Sequence, residues 1–340
     1  MLRPGKGISI QDVPIPTPQS AQVLVKVEAC GVCHTDVALR KGSIGNLSTE
    51  AIGMRPPVTL GHEIAGVVAE LGSEATGLSK GDRVLIDWVM GEGACGFCLS
   101  GEEALCNKVK YLGVHLDGGY AEYVLVPHER YAFRLARMGA VDAAPLSDAG
   151  VTAYSAAIKA NITPEKIVAV IGVGGVGLMA VQFATKVFGS PVIAVGQRDE
   201  TLDLARKLGA TYAVDSNRTD AAKEVMKISG GRGADAVIDL VCSERTIKVF
   251  PGVLAKGGTY VMAGLYGGNL AAHGPLVTLR NQSFVGSVYG NRKLFGKVVE
   301  LAESNVIQGI TTSTLKLEQA DAALDNLERE KAVARQVLVP

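Results

Sequence analysis

Residues 167–187, IVAVIGVGGVGLMAVQFATKV, decide the fold class of this 340-residue chain. An apolar run leads into glycines 172, 174 and 177, spaced G-x-G-x-x-G, and then into an apolar segment of helical length. A buried strand that turns through such glycines into a helix indicates a dinucleotide-binding βαβ unit. Gly172 would permit the tight turn, Gly174 the approach of backbone to a pyrophosphate, and Gly177 close packing of helix on strand. The alternative is a glycine turn without a ligand.

The pattern of apolar runs and turn signals in the sequence changes near residue 150. Up to that point, short β-branched runs alternate with turn signals such as KGD and LDGG, which indicates a β-rich module. Beyond Thr152, apolar strands alternate with amphipathic helices, which predicts a parallel sheet with helical crossovers. We therefore predict an α/β protein with two domains, one formed by residues 1–149 and 290–340 and the other by residues 150–289.

The amino-acid composition of the chain limits the classes of binding partner to be expected. Lys and Arg number 34, equal to Asp and Glu, so no net charge favours nucleic acid or a membrane surface. The amino terminus has no apolar core of the kind found in signal peptides, and the apolar runs are broken by glycines. We therefore expect a cytoplasmic protein whose six cysteines are thiols or metal ligands.

The turn after the second predicted strand of the nucleotide domain, VIAVGQRDE, bears on the choice of cofactor. An NAD site places a carboxylate at this point to bind the ribose 2′-hydroxyl. Here the turn reads Gly196, Gln197, Arg198, so the carboxylate is missing and a guanidinium can pair with a 2′-phosphate. We predict that NADP is preferred over NAD. A solvated surface arginine is the alternative for Arg198.

Two groups of residues have the chemistry of zinc ligands. Residues 91–106, GEGACGFCLSGEEALC, contain Cys95, Cys98 and Cys106, although a structural zinc site needs four ligands. Cys33, His62 and Asp148 form the second group and would leave one tetrahedral position open, as in a catalytic site. Their spacing in the sequence could not by itself select these three.

Four features in this order resemble the zinc-containing medium-chain alcohol dehydrogenases, in particular the archaeal and bacterial tetrameric branch. They are CHTD at 33–36, GHE at 61–63, the cysteine lobe at 91–106 and the late glycine fingerprint. The resemblance runs from one end of the chain to the other. It implies a GroES-like β-rich catalytic domain, a doubly wound Rossmann coenzyme domain and a homotetramer.

The resemblance also assigns roles around the first zinc. It implies that Cys33, His62 and Asp148 bind the catalytic ion, with Asp148 where many members have cysteine. The resemblance also places Glu63 behind the metal and gives Asp36 the role of orienting His62. It implies that Thr35 takes the substrate proton, beside His34, and that Trp88 forms an aromatic wall of the substrate pocket. Core packing is the alternative for Trp88, and a C-x-x-C pair with Cys30 is the alternative for Cys33.

In the cysteine lobe, the family spacing places the missing fourth ligand three residues before Cys95. That residue is Glu92, and a carboxylate is an acceptable zinc ligand. We predict a structural zinc held by Glu92, Cys95, Cys98 and Cys106. The alternative is a lobe with three free thiols and no metal.

The remaining sites implied by the resemblance contact the cofactor. They lie in the glycine turn, in the 2′-phosphate turn, after three later strands and near the carboxyl end of the chain. The predicted residues are Gly172, Gly174, Gly175, Val176, Gly177, Gly196, Gln197, Arg198, Val241, Gly264, Leu265, Tyr266, Ser287, Val288, Tyr289 and Arg335.

The expected activity is reversible hydride transfer between NADP(H) and a primary or secondary alcohol, with the aldehyde or ketone as product. An aldose or polyol dehydrogenase of the same family is the alternative. A zinc-free quinone reductase is disfavoured by the ligand set, and a non-catalytic NADPH-binding protein by Thr35. The partners expected are small molecules and other copies of the chain.

Overall fold

The computed structural model describes residues 1–2, 7–329 and 331–340. Its chain divides into two compact units, Met1–Val151 with Asn291–Pro340, and Thr152–Gly290. The boundaries predicted from the sequence are 149/150 and 289/290. Within the described residues, no helix has the length and apolarity needed to cross a membrane.

The first unit is dominated by strands. Its elements up to the boundary are β1 (Val23–Val32), α1 (His34–Lys41), β2 (Ser43–Ile44), β3 (Leu47–Ser48), β4 (Glu63–Leu71), β5 (Arg83–Ile86), β6 (Val89–Met90), α2 (Gly96–Leu99), β7 (Lys110–Tyr111), β8 (Tyr123–Val126), β9 (Ala132–Arg134) and α3 (Ala140–Ala143). Helix α4 (Ala149–Lys159) includes the boundary between the units.

The second unit alternates strand and helix. Its elements are β10 (Val168–Ile171), α5 (Gly175–Gln182), β11 (Val192–Gly196), α6 (Asp199–Lys207), β12 (Tyr212–Asp215), α7 (Ala221–Ile228), β13 (Ala234–Asp239), α8 (Glu244–Val249), β14 (Leu254–Met262), α9 (Gly274–Arg280) and β15 (Ser283–Gly286). The chain then returns to the first unit with α10 (Arg292–Glu303), β16 (Thr311–Lys316), α11 (Ala320–Glu328) and β17 (Arg335–Val339).

The main sheet of the first unit is built around β1. The strand order is β16-β17-β1-β4-β5-β9, and β8 also pairs with β1. In the antiparallel pair of β1 and β4, Gly31 lies opposite Glu63, and in the pair of β1 and β17, Val32 lies opposite Gln336. The end of β1 therefore lies beside the starts of both β4 and β17.

The sheet of the second unit is parallel and has the order β12-β11-β10-β13-β14-β15. The central strand β10 is buried along its whole length, which explains its unbroken apolar run. Helix α6 has acidic residues in its first turn and basic residues in its last turn, so both ends complement the helix dipole. The order matches the predicted doubly wound Rossmann topology.

Candidate active site

Four potential metal ligands from three places in the chain meet inside the first unit. Cys33 follows β1 and precedes α1, His62 and Glu63 stand at the start of β4, and Asp148 precedes α4. All four are buried, and one ligand atom from each lies within 4.8 Å of the others. Asp148 Oδ2 is 3.6 Å from Cys33 Sγ and 3.7 Å from His62 Nε2. Three of the four are the predicted ligands of the catalytic zinc.

The separations and the polar atoms of this cluster fit a zinc ion. A tetrahedron with bonds of 2.0–2.3 Å has edges of roughly 3.3–3.8 Å, which includes both separations from Asp148. His62 Nε2 and Glu63 Oε2 are buried and have no hydrogen-bond partner among the residues that the structure describes. Because unpartnered buried polar atoms are costly, a bound cation would satisfy groups that the protein leaves unsatisfied.

The negative charge of the cluster is balanced by a buried arginine. Arg335, at the start of β17, is 3 % exposed, and its Nη2 lies 2.6 Å from Glu63 Oε1 and 3.5 Å from Asp148 Oδ2. Burial raises the pKa of Glu63 to about 8, although Arg335 opposes this shift. Burial acts in the same direction on Asp148, but His62 and Arg335 outweigh it and lower the pKa of that carboxyl. The predicted contact of Arg335 with cofactor phosphates stays a prediction.

Asp36 links the start of α1 to His62. Its Oδ2 accepts from the backbone N–H of Cys33 at 3.0 Å, which caps the helix, and from the hydroxyl of Tyr120 at 3.0 Å. Its Oδ1 lies 3.3 Å from His62 Nδ1. A carboxylate in this position orients the imidazole and selects the tautomer that presents Nε2 to a metal.

Tyr120 is a site residue that the sequence did not indicate. It is buried in the loop before β8, and its ring fills the space that Gly61 leaves open. A Cβ at Gly61, where φ is +93°, would come within 2.8 Å of Tyr120 Cε1 and of Cys30 Sγ. The glycine of GHE is therefore needed for a positive φ and for the tyrosine ring. The motif shows only that a glycine is present, so no local signal pointed to Tyr120.

The other predicted catalytic residues surround the cluster. Thr35 Oγ1 lies 3.7 Å from Cys33 Sγ. His34 begins α1 and is exposed, and partial desolvation together with the charges of Arg335 and Lys41 lowers its pKa to about 4. Trp88 lies between two rings, with centroid distances of 4.6 Å to His62 and 5.3 Å to Tyr111.

The three cysteines of the lobe also meet. Their sulfur atoms lie within 4.8 Å of one another, with Cys95 Sγ and Cys98 Sγ 3.5 Å apart. Burial alone raises the pKa of Cys106, but the backbone N–H groups of Glu92 and Lys108 outweigh it and lower that pKa. The Glu92 carboxylate is not part of this group and instead lies 2.8 Å from Lys108 Nζ. Its role as the fourth ligand stays a prediction.

The glycine turn of the second unit has the geometry expected of a pyrophosphate loop. Gly172 follows β10 with φ of +89°, and a side chain at Gly177 would collide with its carbonyl oxygen. A Cβ at Gly174 would meet no atom within 4 Å, so this backbone is open to a ligand. Gly175 and Val176 follow as the first residues of α5, whose unpaired N–H groups suit an anion.

The other cofactor residues predicted in this unit follow the carboxyl ends of its strands. Gly196 ends β11, and Gln197 and Arg198 lead into α6. Val241 follows β13, residues 264–266 follow β14, and residues 287–289 follow β15. Since the strands are parallel, all these segments lie at one edge of the sheet, where such folds bind ligands. Leu265, Tyr266 and Val288 are 60 %, 59 % and 49 % exposed.

Sequence families define the class of protein. The model of the "Alcohol dehydrogenase GroES-like domain" matches residues 19–136, and that of the "Zinc-binding dehydrogenase" matches residues 175–304. Together they cover most of both units and define a zinc-binding dehydrogenase.

Individual relatives support the same class of protein. The chain is 50% identical to the NAD-dependent alcohol dehydrogenase of Sulfurisphaera tokodaii over 99% of its length and 97% of the relative. It is 32% identical to the D-arabinose 1-dehydrogenase (NADP(+)) of Saccharolobus solfataricus over 98% and 94%. The crystal structure of the alcohol dehydrogenase from Aeropyrum pernix superposes with a TM-score of 0.92 at 34% identity, covering 100% of this chain and 98% of the other. The chain belongs to the zinc-containing medium-chain alcohol dehydrogenase family.

Proposed function

We propose that this protein is a zinc-dependent alcohol dehydrogenase and carbonyl reductase that prefers NADP(H) and acts on primary or secondary alcohols. The observation that carries the proposal is the buried cluster of Cys33, His62 and Asp148, in which both separations from Asp148 match a tetrahedral metal site. Its charge is offset by Arg335, which lies against Glu63 and Asp148.

Each residue of the site would have a distinct role in the oxidation of the alcohol. Cys33, His62 and Asp148 would hold the zinc, which when bound acts as a Lewis acid that favours loss of the alcohol proton. Asp36 would keep the His62 ring oriented. Thr35, whose hydroxyl lies 3.7 Å from Cys33 Sγ, would take the proton, and the exposed His34 next to it would pass the proton to water.

The preference for NADP(H) rests on the turn after β11. A Cβ at Gly196 would come within 2.5 Å of Val173 Cγ2 and 3.1 Å of Leu202 Cδ2, so a ribose-binding carboxylate at this position would require these side chains to shift. Arg198 is the N-cap residue of α6, and its side chain is 25 % exposed. Its Nε lies 3.6 Å from the exposed Glu200 Oε2, a surface ion pair that a 2′-phosphate would replace by a charge-assisted contact. The name of the Sulfurisphaera tokodaii relative favours NAD as the second candidate.

Steady-state kinetics with both cofactors test this preference. We expect the wild type to have a higher kcat/KM with NADP⁺ than with NAD⁺. Arg198→Leu should lower kcat/KM for NADP⁺ by about 10- to 100-fold, the loss expected for a charge-assisted phosphate contact, and leave NAD⁺ nearly unchanged. The matched control is Arg206→Leu, which removes an arginine from the same helix. A wild type that already favours NAD⁺ would overturn the proposal.

The substrate class has one specific alternative. The relative named D-arabinose 1-dehydrogenase (NADP(+)) covers nearly the whole chain and supports an aldose or polyol as substrate. A panel of primary alcohols, secondary alcohols and aldoses, compared by kcat/KM, separates the two classes.

We also propose that Glu92 completes a structural zinc site with Cys95, Cys98 and Cys106. The backbone N–H of Glu92 already donates to the sulfur of Cys106, and its carboxylate would have to leave the ion pair with the exposed Lys108 to join the lobe. Glu92→Ala should reduce zinc from two ions per subunit towards one and lower thermal stability more than turnover. Lys108→Ala, the matched control, should keep both ions. If Glu92→Ala still contains two zinc ions per subunit, Glu92 is not a ligand. If the wild type contains only one zinc ion per subunit, the lobe binds no metal.

A further inference from the structure

A carboxylate that the proposed mechanism does not use is buried in the middle of the parallel sheet. Asp239 is the last residue of β13 and is 0 % exposed. It lies opposite Ile171 at the end of β10 and Met262 at the end of β14. A carboxylate at such a place is tolerated only if its oxygens accept hydrogen bonds.

Both oxygens of this carboxylate have partners. Oδ1 accepts from the backbone N–H groups of Val241 at 2.9 Å and Cys242 at 2.8 Å. Oδ2 accepts from the hydroxyl of Tyr260 at 2.8 Å. The side chain therefore folds the segment after β13 back onto the end of the strand and ties it to β14.

The segment held in this way has a backbone conformation that needs support. Cys242 has φ of +53°, a left-handed conformation that is unfavourable for a residue with a side chain. Burial and the nearby Asp239 raise the pKa of Cys242 to about 12, so its thiol stays protonated, and Sγ lies 3.3 Å from the Asp239 carbonyl oxygen as a donor. These contacts keep the turn in one conformation.

The turn touches two loops proposed to bind the cofactor. A Cβ at Gly172 would come within 2.5 Å of Val241 Cγ2, so Val241 packs directly on the glycine turn. On its other side, the carbonyl oxygens of Val241 and Cys242 accept from the N–H groups of Tyr266 at 3.2 Å and Gly268 at 2.8 Å. The turn thus joins the glycine loop to the loop after β14.

We propose that Asp239 is a positioning residue for the cofactor site: its carboxylate holds Val241 and Cys242 so that the glycine loop and the loop after β14 keep their places. The inference rests on the proposed function, because that function makes these loops the cofactor contacts. Asp239 itself does not have to touch the cofactor.

Two substitutions separate the hydrogen bonds from the branched shape of the side chain. In Asp239→Asn, the amide oxygen still accepts from both N–H groups, and the amide nitrogen can donate to Tyr260. Asp239→Leu keeps the branching at Cγ and the number of heavy atoms but leaves two N–H groups and the Tyr260 hydroxyl without their acceptor. Asp235→Leu is the matched control, because Asp235 also accepts from backbone, the Ile167 N–H at 2.8 Å, but near the start of the same strand.

The experiment titrates the zinc-loaded enzyme with NADPH and NADH and measures Kd, kcat, both KM values and the unfolding temperature. We expect Asp239→Leu to raise the Kd of the better cofactor about tenfold or more, with kcat at saturating cofactor and the KM of the alcohol changed far less. Asp239→Asn should restore binding to within about threefold of wild type, and Asp235→Leu should lower only the unfolding temperature.

A folded Asp239→Leu that binds cofactor like wild type, or an equal loss in Asp235→Leu, overturns the inference. Should Asp239→Leu fail to fold, Tyr260→Phe decides, because it removes one hydrogen bond and keeps the ring beside Phe284, 5.7 Å away between centroids. Weaker cofactor binding in that variant supports the inference, and unchanged binding overturns it. A wild type that binds neither cofactor refutes the proposed function instead.

Discussion

Single carboxylates in this protein each organise several backbone and side-chain groups. Asp36 accepts from the Cys33 N–H and from Tyr120, and it lies beside His62, so one residue caps α1 and orients a proposed metal ligand. The Tyr120 hydroxyl is the most distant part of this chain of contacts. Removing this hydroxyl should weaken zinc binding through Asp36 and His62 rather than through direct contact with the metal.

Tyr120→Phe tests that chain of contacts. The ring still fills the space beside Gly61, so we expect the fold to be kept while Asp36 and His62 lose part of their orientation. Zinc should leave the inner site about tenfold faster, at the lower end of the 10- to 100-fold range for residues that support metal ligands. Release to a chromophoric chelator measures the rate. Tyr123→Phe on β8 is the control, and an unchanged rate in Tyr120→Phe would show that its hydroxyl is dispensable.

At the scale of elements, α1 is fastened to α11. Arg40 near the end of α1 is 12 % exposed and lies 2.9 Å from Asp321, 2.8 Å from Asp325 and 2.7 Å from Glu328. Since α1 also contains His34, Thr35 and Asp36, this cluster helps to hold the helix that presents the proposed proton-transfer groups. A network around a mostly buried arginine contributes more than isolated surface pairs do.

Arg40→Leu should therefore lower the free energy of unfolding by about 1–2 kcal/mol. Urea unfolding at low and high salt measures the loss, which should shrink at high salt because the network in the wild type is then screened. Arg206→Leu, whose pair with Asp203 is exposed, should cost less than about 0.5 kcal/mol. Equal losses in the two variants would mean that the Arg40 cluster adds nothing beyond a surface pair.

At the scale of the whole molecule, we propose a homotetramer, and the second unit has an apolar surface that suits assembly. Helix α9 has no buried residue, and its Leu276 and Leu279 are 54 % and 80 % exposed. Strand β15, which follows it, is at the edge of the six-stranded sheet. Exposed apolar groups of this kind are typical of surfaces that a second copy covers.

Sedimentation of the wild type should give about four times the 35.4 kDa mass of one chain. Leu279→Glu places a charge on this surface and should yield smaller species, because burying an unpaired carboxylate at an interface is unfavourable. Val249→Glu on α8 is the control for a charge placed at another exposed apolar residue. A wild type that sediments as a single chain would refute the tetramer.

Features encoded within a short stretch of chain could be predicted from the sequence. The apolar run and glycines at 167–187 predicted the strand, turn and helix of the nucleotide unit, since periodicity and positive φ are local requirements. The cap that Asp36 provides for α1 is likewise local, because its partner Cys33 is three residues away. The two zinc ligand groups, however, depended on the family resemblance as well as on residue chemistry.

Only the tertiary structure decided which distant residues meet. Cys33 and Asp148 are 115 positions apart, Asp36 and Tyr120 are 84 apart, and Glu63 and Arg335 are 272 apart. Glu63 and Arg335 come together because β1 pairs with both β4 and β17, which places the end of one strand beside the starts of the other two. Strand pairing depends on how whole apolar faces are buried, so a local pattern does not contain it. The same holds for Asp239, whose partners Val241 and Cys242 are close in sequence while Tyr260 is supplied by the neighbouring strand.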